Sequence, residues 1–363
     1  MGLIAAKYYY DIYLILVSIL TFTTINRYLQ RSGNTLIYSS KSFNVIGFLL
    51  AIIIILFIGL RPVDAVFVDM SGYNAWYDIY FLEPFQFNYD ATNLLFDNII
   101  PFMASRGLPN WSYFLFIATL YFGLAYIACR RLFPRDSYVA FLVFLAAFST
   151  FSYGVNGIKA GLAASVFILA LSYREKPIIS VPLVLLTYTL HHSMPIAIVP
   201  FLISLVNKNV KLTFYFWIFC LIMAFFRITY FQSLFAGLTD EHGAGYLITS
   251  ADSFVTGFRL DFIIYSMMPI FLSWHYIKQK HEISKTYSTL LQTYTLANSI
   301  WLLCMYASFT NRIAYLSWFL YPMVLIYPYL NEKYYGNRYI MFAKVAAIHL
   351  LFTLFMHFIY YKF

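Results

Sequence analysis

The residues able to do chemistry lie in five short stretches of an otherwise apolar chain. Arg61 closes one apolar run and is followed by Asp64 and Asp69 in RPVDAVFVDMSGYNAWY, where Tyr73 stands four residues beyond Asp69. Asn156 and Lys159 open a second run in YGVNGIKAGLAAS, and His191, His192 and Ser193 interrupt a third in TYTLHHSMP. Arg259 and Asp261 open a fourth in GFRLDFIIY, and Asn311 and Arg312 a fifth in FTNRIAYLSW. Arginine holds phosphate through two parallel hydrogen bonds and lysine meets it as a point charge. A carboxylate beside bound phosphate can take a proton from an acceptor hydroxyl once burial or neighbours tune its pKa. The set therefore points to an anionic ligand, a phosphate or diphosphate, with Asp64 or Asp69 as a base.

The elements that carry these residues are set by composition. The chain has 363 residues, is 62% apolar and only 11% charged, with a mean hydropathy of +0.71. Soluble domains carry roughly 25% charged residues, so the expected class is an all-α, polytopic membrane protein forming a single integral membrane domain over 1–363. A bilayer core about 30 Å thick needs about 20 apolar residues per helix. Runs near 10–26, 43–60, 111–129, 138–153, 157–173, 177–190, 194–206, 212–230, 258–275, 287–308, 312–330 and 340–360 predict about 12 spans. The start MGLIAAKYYYDIYLILVSIL reads as a retained first span, because no small-residue cleavage site follows a short apolar core. Cys129, Cys220 and Cys304 sit far apart inside apolar runs and predict small core residues.

Charge assigns the sides. Arg27, Arg130, Arg131, Arg135, Lys208, Lys211, Lys278 and Lys333 lie with most other basic residues in one alternate set of loops. Asp64, Asp69, Asp78, Glu83, Asp90, Asp97, Asp240, Glu241 and Asp252 lie in the other. Taking the basic side as cytoplasmic places both termini outside, with a large periplasmic loop over 61–110 and a second over 231–256. All five chemical stretches then fall on the outer side. The net charge of +9 is loop charge that sets topology, and no nucleic-acid partner is expected.

Each residue also has a plainer reading. Arg61, Lys159, Arg259 and Arg312 can snorkel from helix ends to the interface. The two carboxylates can be solvated or paired with Arg61. Tyr73, Trp76, Tyr77, Tyr80 and Phe81 recur at helical spacing and suit an interfacial helix or sugar-stacking faces. His191 and His192 offer a base or hydrogen-bond donors; adjacent histidines diverge by about 100° on a helix and share a metal poorly, and no metal site is expected. Pro177, Pro182, Pro195 and Pro200 make the runs on either side of them short, as where backbone opens toward a cavity. Asp11, Arg227, Lys344 and His349 read as interface or packing residues.

The order of motifs resembles the EpsG family of Wzy-type polysaccharide polymerases over roughly 40–330: Arg61, Asp69-Met-Ser-Gly-Tyr73, Asn156-Gly-Ile-Lys159, His192-Ser193, Gly257-Phe-Arg259 and Asn311-Arg312 with Tyr315. The family more often has Arg-Gln where this chain has Lys159-Ala160, and a closer Arg-to-Asp spacing than Arg61 to Asp69. The resemblance implies a GT-C-like fold with a periplasmic-face cavity, a glycosyltransferase that uses no metal or other cofactor, and the bacterial inner membrane. Its substrate would be an undecaprenyl-diphosphate-linked oligosaccharide, its surroundings membrane lipid, and its partner a chain-length regulator protein. Asp69, with His192 as second choice, would be catalytic. Arg61, Asp64, Tyr73, Asn156, Lys159, His191, Arg259, Asn311 and Arg312 would bind diphosphate and glycan. The competing readings are an O-antigen ligase, whose large outer loop usually comes late, and a lipid-linked oligosaccharide flippase, which would show related halves.

Overall fold

The computed structural model describes residues 4–31, 40–236, 257–279, 283–307, 310–333 and 337–360. Among the described residues there is no β-strand; the regular elements are helices. Five helical segments are long and apolar enough to cross a membrane: Ala6–Gln30, Asn110–Leu132, Leu260–Gln279, Thr310–Leu330 and Arg338–Tyr360. Five shorter apolar helices accompany them: Val45–Gly59, Ile158–Ser172, Pro177–Leu190, Pro195–Val206 and Val210–Phe225. This is a helical membrane protein, as the composition requires.

In chain order the helices are α1 (Tyr9–Arg31), α2 (Ser40–Gly59), α3 (Met70–Ile79), α4 (Ile99–Ala104), α5 (Asn110–Leu132), α6 (Ser137–Leu145), α7 (Thr150–Val155), α8 (Ile158–Ser172) and α9 (Pro177–Leu190). They continue with α10 (Pro195–Val206), α11 (Val210–Phe225), α12 (Tyr230–Ala236), α13 (Leu260–Gln279), α14 (Lys285–Leu303), α15 (Thr310–Trp318), α16 (Tyr321–Leu330) and α17 (Arg338–Phe355). Local sequence explains several ends. Asn209, Ser284 and Asn337 accept hydrogen bonds from first-turn amides of α11, α14 and α17, the usual helix-start chemistry. Pro177 and Pro195 open α9 and α10, where a missing N–H costs nothing. The predicted run 138–153 is two helices, α6 and α7, separated by the turn at 146–149. Of the predicted second loop, Tyr230–Ala236 is helical, while GLTDEHGAG with Asp240 and Glu241, and also Asp252, lie outside the described residues, as do Lys280 and Glu282.

The chain divides into two compact units, Met1–His191 with Asn337–Phe363, and His192–Gly336. In the first, α5 packs against both α2 and α8, α8 against α9, and α1 against α17. Tyr13 Oη donates to Leu145 O at 2.7 Å, Tyr28 Oη to Asp136 Oδ1 at 2.7 Å, and His357 pairs with Asp11 at 2.6 Å. In lipid, packed side chains and hydrogen bonds of this kind, rather than the hydrophobic effect, hold helices together. In the second unit α14 packs against α10, α11 and α15. Its Asn298 accepts from Trp217 Nε1 at 2.8 Å and donates at 3.1 Å to both Ser266 Oγ and Ser317 Oγ. Trp318 Nε1 adds a 2.7 Å bond to Ser266 Oγ, completing a buried polar knot. Cys129, Cys220 and Cys304 are free thiols buried in the packing.

Candidate functional site

The predicted residues fall in both units: Arg61, Asp64, Asp69, Tyr73, Asn156, Lys159 and His191 in the first, and His192, Arg259, Asn311 and Arg312 in the second.

In the first unit Arg61 leaves the end of α2 and turns inward, with 3% of its surface exposed. Its Nη1 donates to Ile58 O at 2.7 Å and its Nη2 to Val155 O at 3.0 Å. The guanidinium lies 5.3 Å from the Phe67 ring centroid and 5.2 Å from that of Phe114, so two π faces share in holding the cation. Burial pushes its pKa down to about 10, against raising effects of Tyr113 and Tyr9. It remains a cation at neutral pH.

Arg61 thus ties the start of the 61–110 segment to the last residue of α7. The next residue, Asn156, makes the neighbouring tie: Asp69 N donates to its Oδ1 at 3.1 Å. Between α7 and α8 the chain breaks for only Asn156 and Gly157, and Lys159, half-buried, is the second residue of α8. Gly161 lets that junction close. A Cβ there would lie 2.5 Å from Tyr153 O, closer than any real contact. The spacing Asn156-Gly-Ile-Lys159-Ala-Gly161 is therefore the spacing of a tight helix-to-helix corner.

The two carboxylates differ. Asp64 Oδ1 accepts from Val66 N at 2.9 Å and caps a short 3-10 turn, Ala65–Phe67. Asp69 stands at the N-cap of α3 but its side chain makes no cap bond to the helix. The residue before it, Val68, has φ 43° and ψ −85°. A β-branched residue at positive φ is strained, and such strain gathers where a neighbouring group must be aimed. Tyr73 follows one turn later, its N–H on Asp69 O at 3.1 Å and its ring against Phe96 and Tyr113. The helical spacing of the aromatics is realised in α3. Tyr77 is buried and donates to Leu108 O at 2.9 Å, while Trp76, Tyr80 and Phe81 are exposed.

The segment has its own polar frame. Asn98 donates to Asn88 O and Leu94 O and accepts from Asn88 N, while Asp97 accepts from both amides of Asn93. Leu95 N donates to Thr189 O at 3.0 Å in the last turn of α9. That helix ends at Leu190, and His191 is extended at φ −152° and half-buried.

In the second unit His192 is half-buried and Ser193 buried, and α10 begins at Pro195. Arg259 is gripped by Asp261 through Nε–Oδ1 at 3.0 Å and Nη2–Oδ2 at 2.6 Å, and stacks 3.7 Å from the centroid of Phe262. Its backbone N–H points at Met305 Sδ, 3.4 Å away. Gly257, at φ 122°, adopts a backbone state that glycine alone reaches without strain, which accounts for the glycine of Gly257-Phe-Arg259. At the start of α15, Arg312 is exposed, and the buried Asn311 Oδ1 has no hydrogen-bond partner among the described residues. Thr310 accepts from Trp301 Nε1 at 2.9 Å. No group of three His, Cys, Asp or Glu among the described residues is placed to hold a metal ion.

The model of the EpsG family matches residues 44–363, and that span takes in every motif above. The chain belongs to the EpsG family. That family is related to the Wzy-type polysaccharide polymerases. No curated protein and no solved structure matches the chain. Within this EpsG-family chain, sequence reasoning missed the strain at Val68 and the asparagine frame at 88–98. Backbone angles leave no mark on residue type when a valine is strained. The asparagines were visible, but their partners were not.

Proposed function

We propose that this chain is a polysaccharide polymerase of Wzy type, with about 12 spans, a GT-C-like arrangement and a cavity opening to the periplasm from the inner membrane. It would transfer a growing glycan from undecaprenyl diphosphate to the non-reducing end of a lipid-linked repeat unit. The observation that carries this reading is the strained, pinned corner at Val68-Asp69-Asn156 in a chain of the EpsG family. Asp69 is the base, on its place in Asp69-Met-Ser-Gly-Tyr73 and on the strained backbone of Val68 that sets it at the N-cap of α3. The acceptor hydroxyl gives its proton to Asp69 as its oxygen bonds to the anomeric carbon. The bond from that carbon to the diphosphate oxygen breaks, and undecaprenyl diphosphate leaves. Arg312, Arg259 and Lys159 offset the charge gathered on it; Asp261 holds Arg259 in place. His192 and His191 donate hydrogen bonds to the glycan, with Tyr73 and Asn311 beside it.

The test is the glycan ladder of cells lacking the gene, with and without this chain restored. Collapse to a single core-plus-one-unit band and return of the ladder on complementation is the expected result. Loss of even that band would make the chain a ligase or a flippase. Asp69→Asn should slow chain growth by about 10²-fold or more, and Arg259→Ala with Arg312→Ala should abolish polymer while the protein stays in the membrane.

A further inference from the structure

Two helices of the second unit, α11 and α13, are braced by rings at both ends of their shared length. At one end Phe214 meets Trp274 with centroids 5.0 Å apart; at the other Phe225 meets Phe258 at 6.0 Å. Between the braces the helices leave an apolar trough. One cavity of about 220 Å³ is lined by Trp217, Ile218 and Phe271 among others, and one of about 670 Å³ by Ile222, Phe226 and Leu260 among others. From Phe214 to Phe225 the trough runs about 16 Å at ~1.5 Å per residue.

Its Phe225–Phe258 end is bracketed by two arginines. Arg227 comes two residues after Phe225 and Arg259 one after Phe258. Each meets one of two adjacent residues, Met305 and Tyr306. Arg259 N points at Met305 Sδ at 3.4 Å, and the Arg227 guanidinium lies 5.4 Å from the Tyr306 ring, whose hydroxyl donates to Ala224 O at 3.0 Å.

Arg227 stands where an arginine is costly. α11 ends in a paired closure: Ile228 N donates to Met223 O and Arg227 N to Ala224 O, both at 3.0 Å. The residue in the left-handed position of such a closure is usually glycine. Here it is Arg227, at φ 54°. Its side chain is exposed and lies over the Tyr306 ring.

We infer that the α11–α13 trough holds the polyprenyl chain of a lipid diphosphate, with Arg227 and Arg259 receiving the head group. The inference rests on the polymerase reading for its choice of lipid. The two cavities follow one another along α11, which suits one chain laid along the helix, whereas a membrane phospholipid brings two. Two guanidinium groups offer paired N–H donors to the several oxygens of a diphosphate, and Asp261 holds Arg259 with its Cζ 3.7 Å from the Phe262 ring centroid. The opposite end carries two exposed lysines, Lys211, three residues before Phe214, and Lys278, 5.1 Å from the Trp274 ring centroid, which offer point charges rather than guanidinium forks.

The experiment uses the full chain in nanodiscs of neutral phosphatidylcholine, titrated with undecaprenyl diphosphate and read by native mass spectrometry, with dioleoylphosphatidylglycerol as competitor. Arg227→Gly suits the backbone better than arginine, so its melting temperature should equal or exceed the parent's. Its affinity for undecaprenyl diphosphate should fall about 10-fold or more, the loss of one charge-assisted contact. Ile218→Trp, which fills the trough, should weaken binding by a similar factor. Unchanged binding in both variants overturns the proposal, as does competition by phosphatidylglycerol at equal concentration. Loss of binding in Lys278→Gln but not Arg227→Gly overturns the placement of the head group. A restored glycan ladder with unaltered Arg227→Gly binding sinks the trough and leaves the polymerase reading standing. Selective binding that Arg227→Gly abolishes, in a chain that restores no ladder, does the reverse.

Discussion

Arg61 offers the sharpest test of how the first unit is built. Its folded pKa, about 10, lies below that of a free guanidinium. Burying the charge therefore costs stability at every pH below about 10, and the contacts of the fork must offset it. Arg61→Lys keeps the charge but has one nitrogen for two acceptors, Ile58 O and Val155 O, which Arg61 reaches at 2.7 and 3.0 Å. Losing one charge-assisted hydrogen bond costs about 1.5–3 kcal/mol, and the stranded carbonyl is buried. For a unit of 150–250 residues each kcal/mol moves the midpoint by about 2–4 °C, so the variant should melt about 3–12 °C lower. The assay is thermal unfolding in detergent at one fixed scan rate, since membrane proteins of this size often unfold irreversibly. Arg312→Lys is the control: Arg312 is exposed, so its melting point should hold. Equal melting of Arg61→Lys and the parent, with polymer lost, would refute the reasoning and make Arg61 a direct ligand of substrate.

The remaining expectations concern the same corner and the second unit. Gly161→Ala forces a Cβ to 2.5 Å from Tyr153 O; overpacking of this kind costs about 1–3 kcal/mol, whereas Gly72→Ala, with nothing within 4 Å, should leave the melting point level or slightly raised. Val68→Gly removes backbone strain of about 1–3 kcal/mol and should raise the melting temperature while shortening the glycan ladder, because Asp69 loses its aim; a ladder of normal length would show the strain to be incidental. Asp261→Asn loosens the grip on Arg259, which loses a charged partner; chain growth should slow with the protein still inserted, and growth at the parental rate would remove Asp261 from the site.

Much of the fold was legible in the sequence because it followed from local composition. Apolar runs gave helices, and the aromatics from Tyr73 to Tyr80 gave α3; the prolines at 177 and 195 read as marks of short runs, and the structure places them at the first positions of α9 and α10. The glycines of Asn156-Gly-Ile-Lys159-Ala-Gly161 and Gly257-Phe-Arg259 were visible as motif members, and the structure supplies their reasons: a carbonyl at 2.5 Å in one case, a φ of 122° in the other. What escaped depends on partners far along the chain. Arg61 reads identically whether it faces a ligand or a carbonyl 94 residues away. The adjacent histidines gave no sign that the boundary between the two units passes between them. Arg227 reads as an interface or packing residue, and its left-handed backbone, at φ 54°, leaves no mark in a one-letter code.

The bond from Arg61 to Val155 also sets a schedule. A ribosome adds about 5–20 residues per second, so a gap of 94 residues lasts about 5–20 s. Throughout that interval the first two helices exist and the carbonyl meant for Arg61 does not. The same wait separates Leu95 from Thr189. A nascent chain released near residue 150 should present Arg61 and the 61–110 segment unlatched and open to a protease added from that side. One released beyond residue 200 should have both latches shut. Biogenesis of the corner is thus timed by chain length, and its quality control acts on a half-made protein.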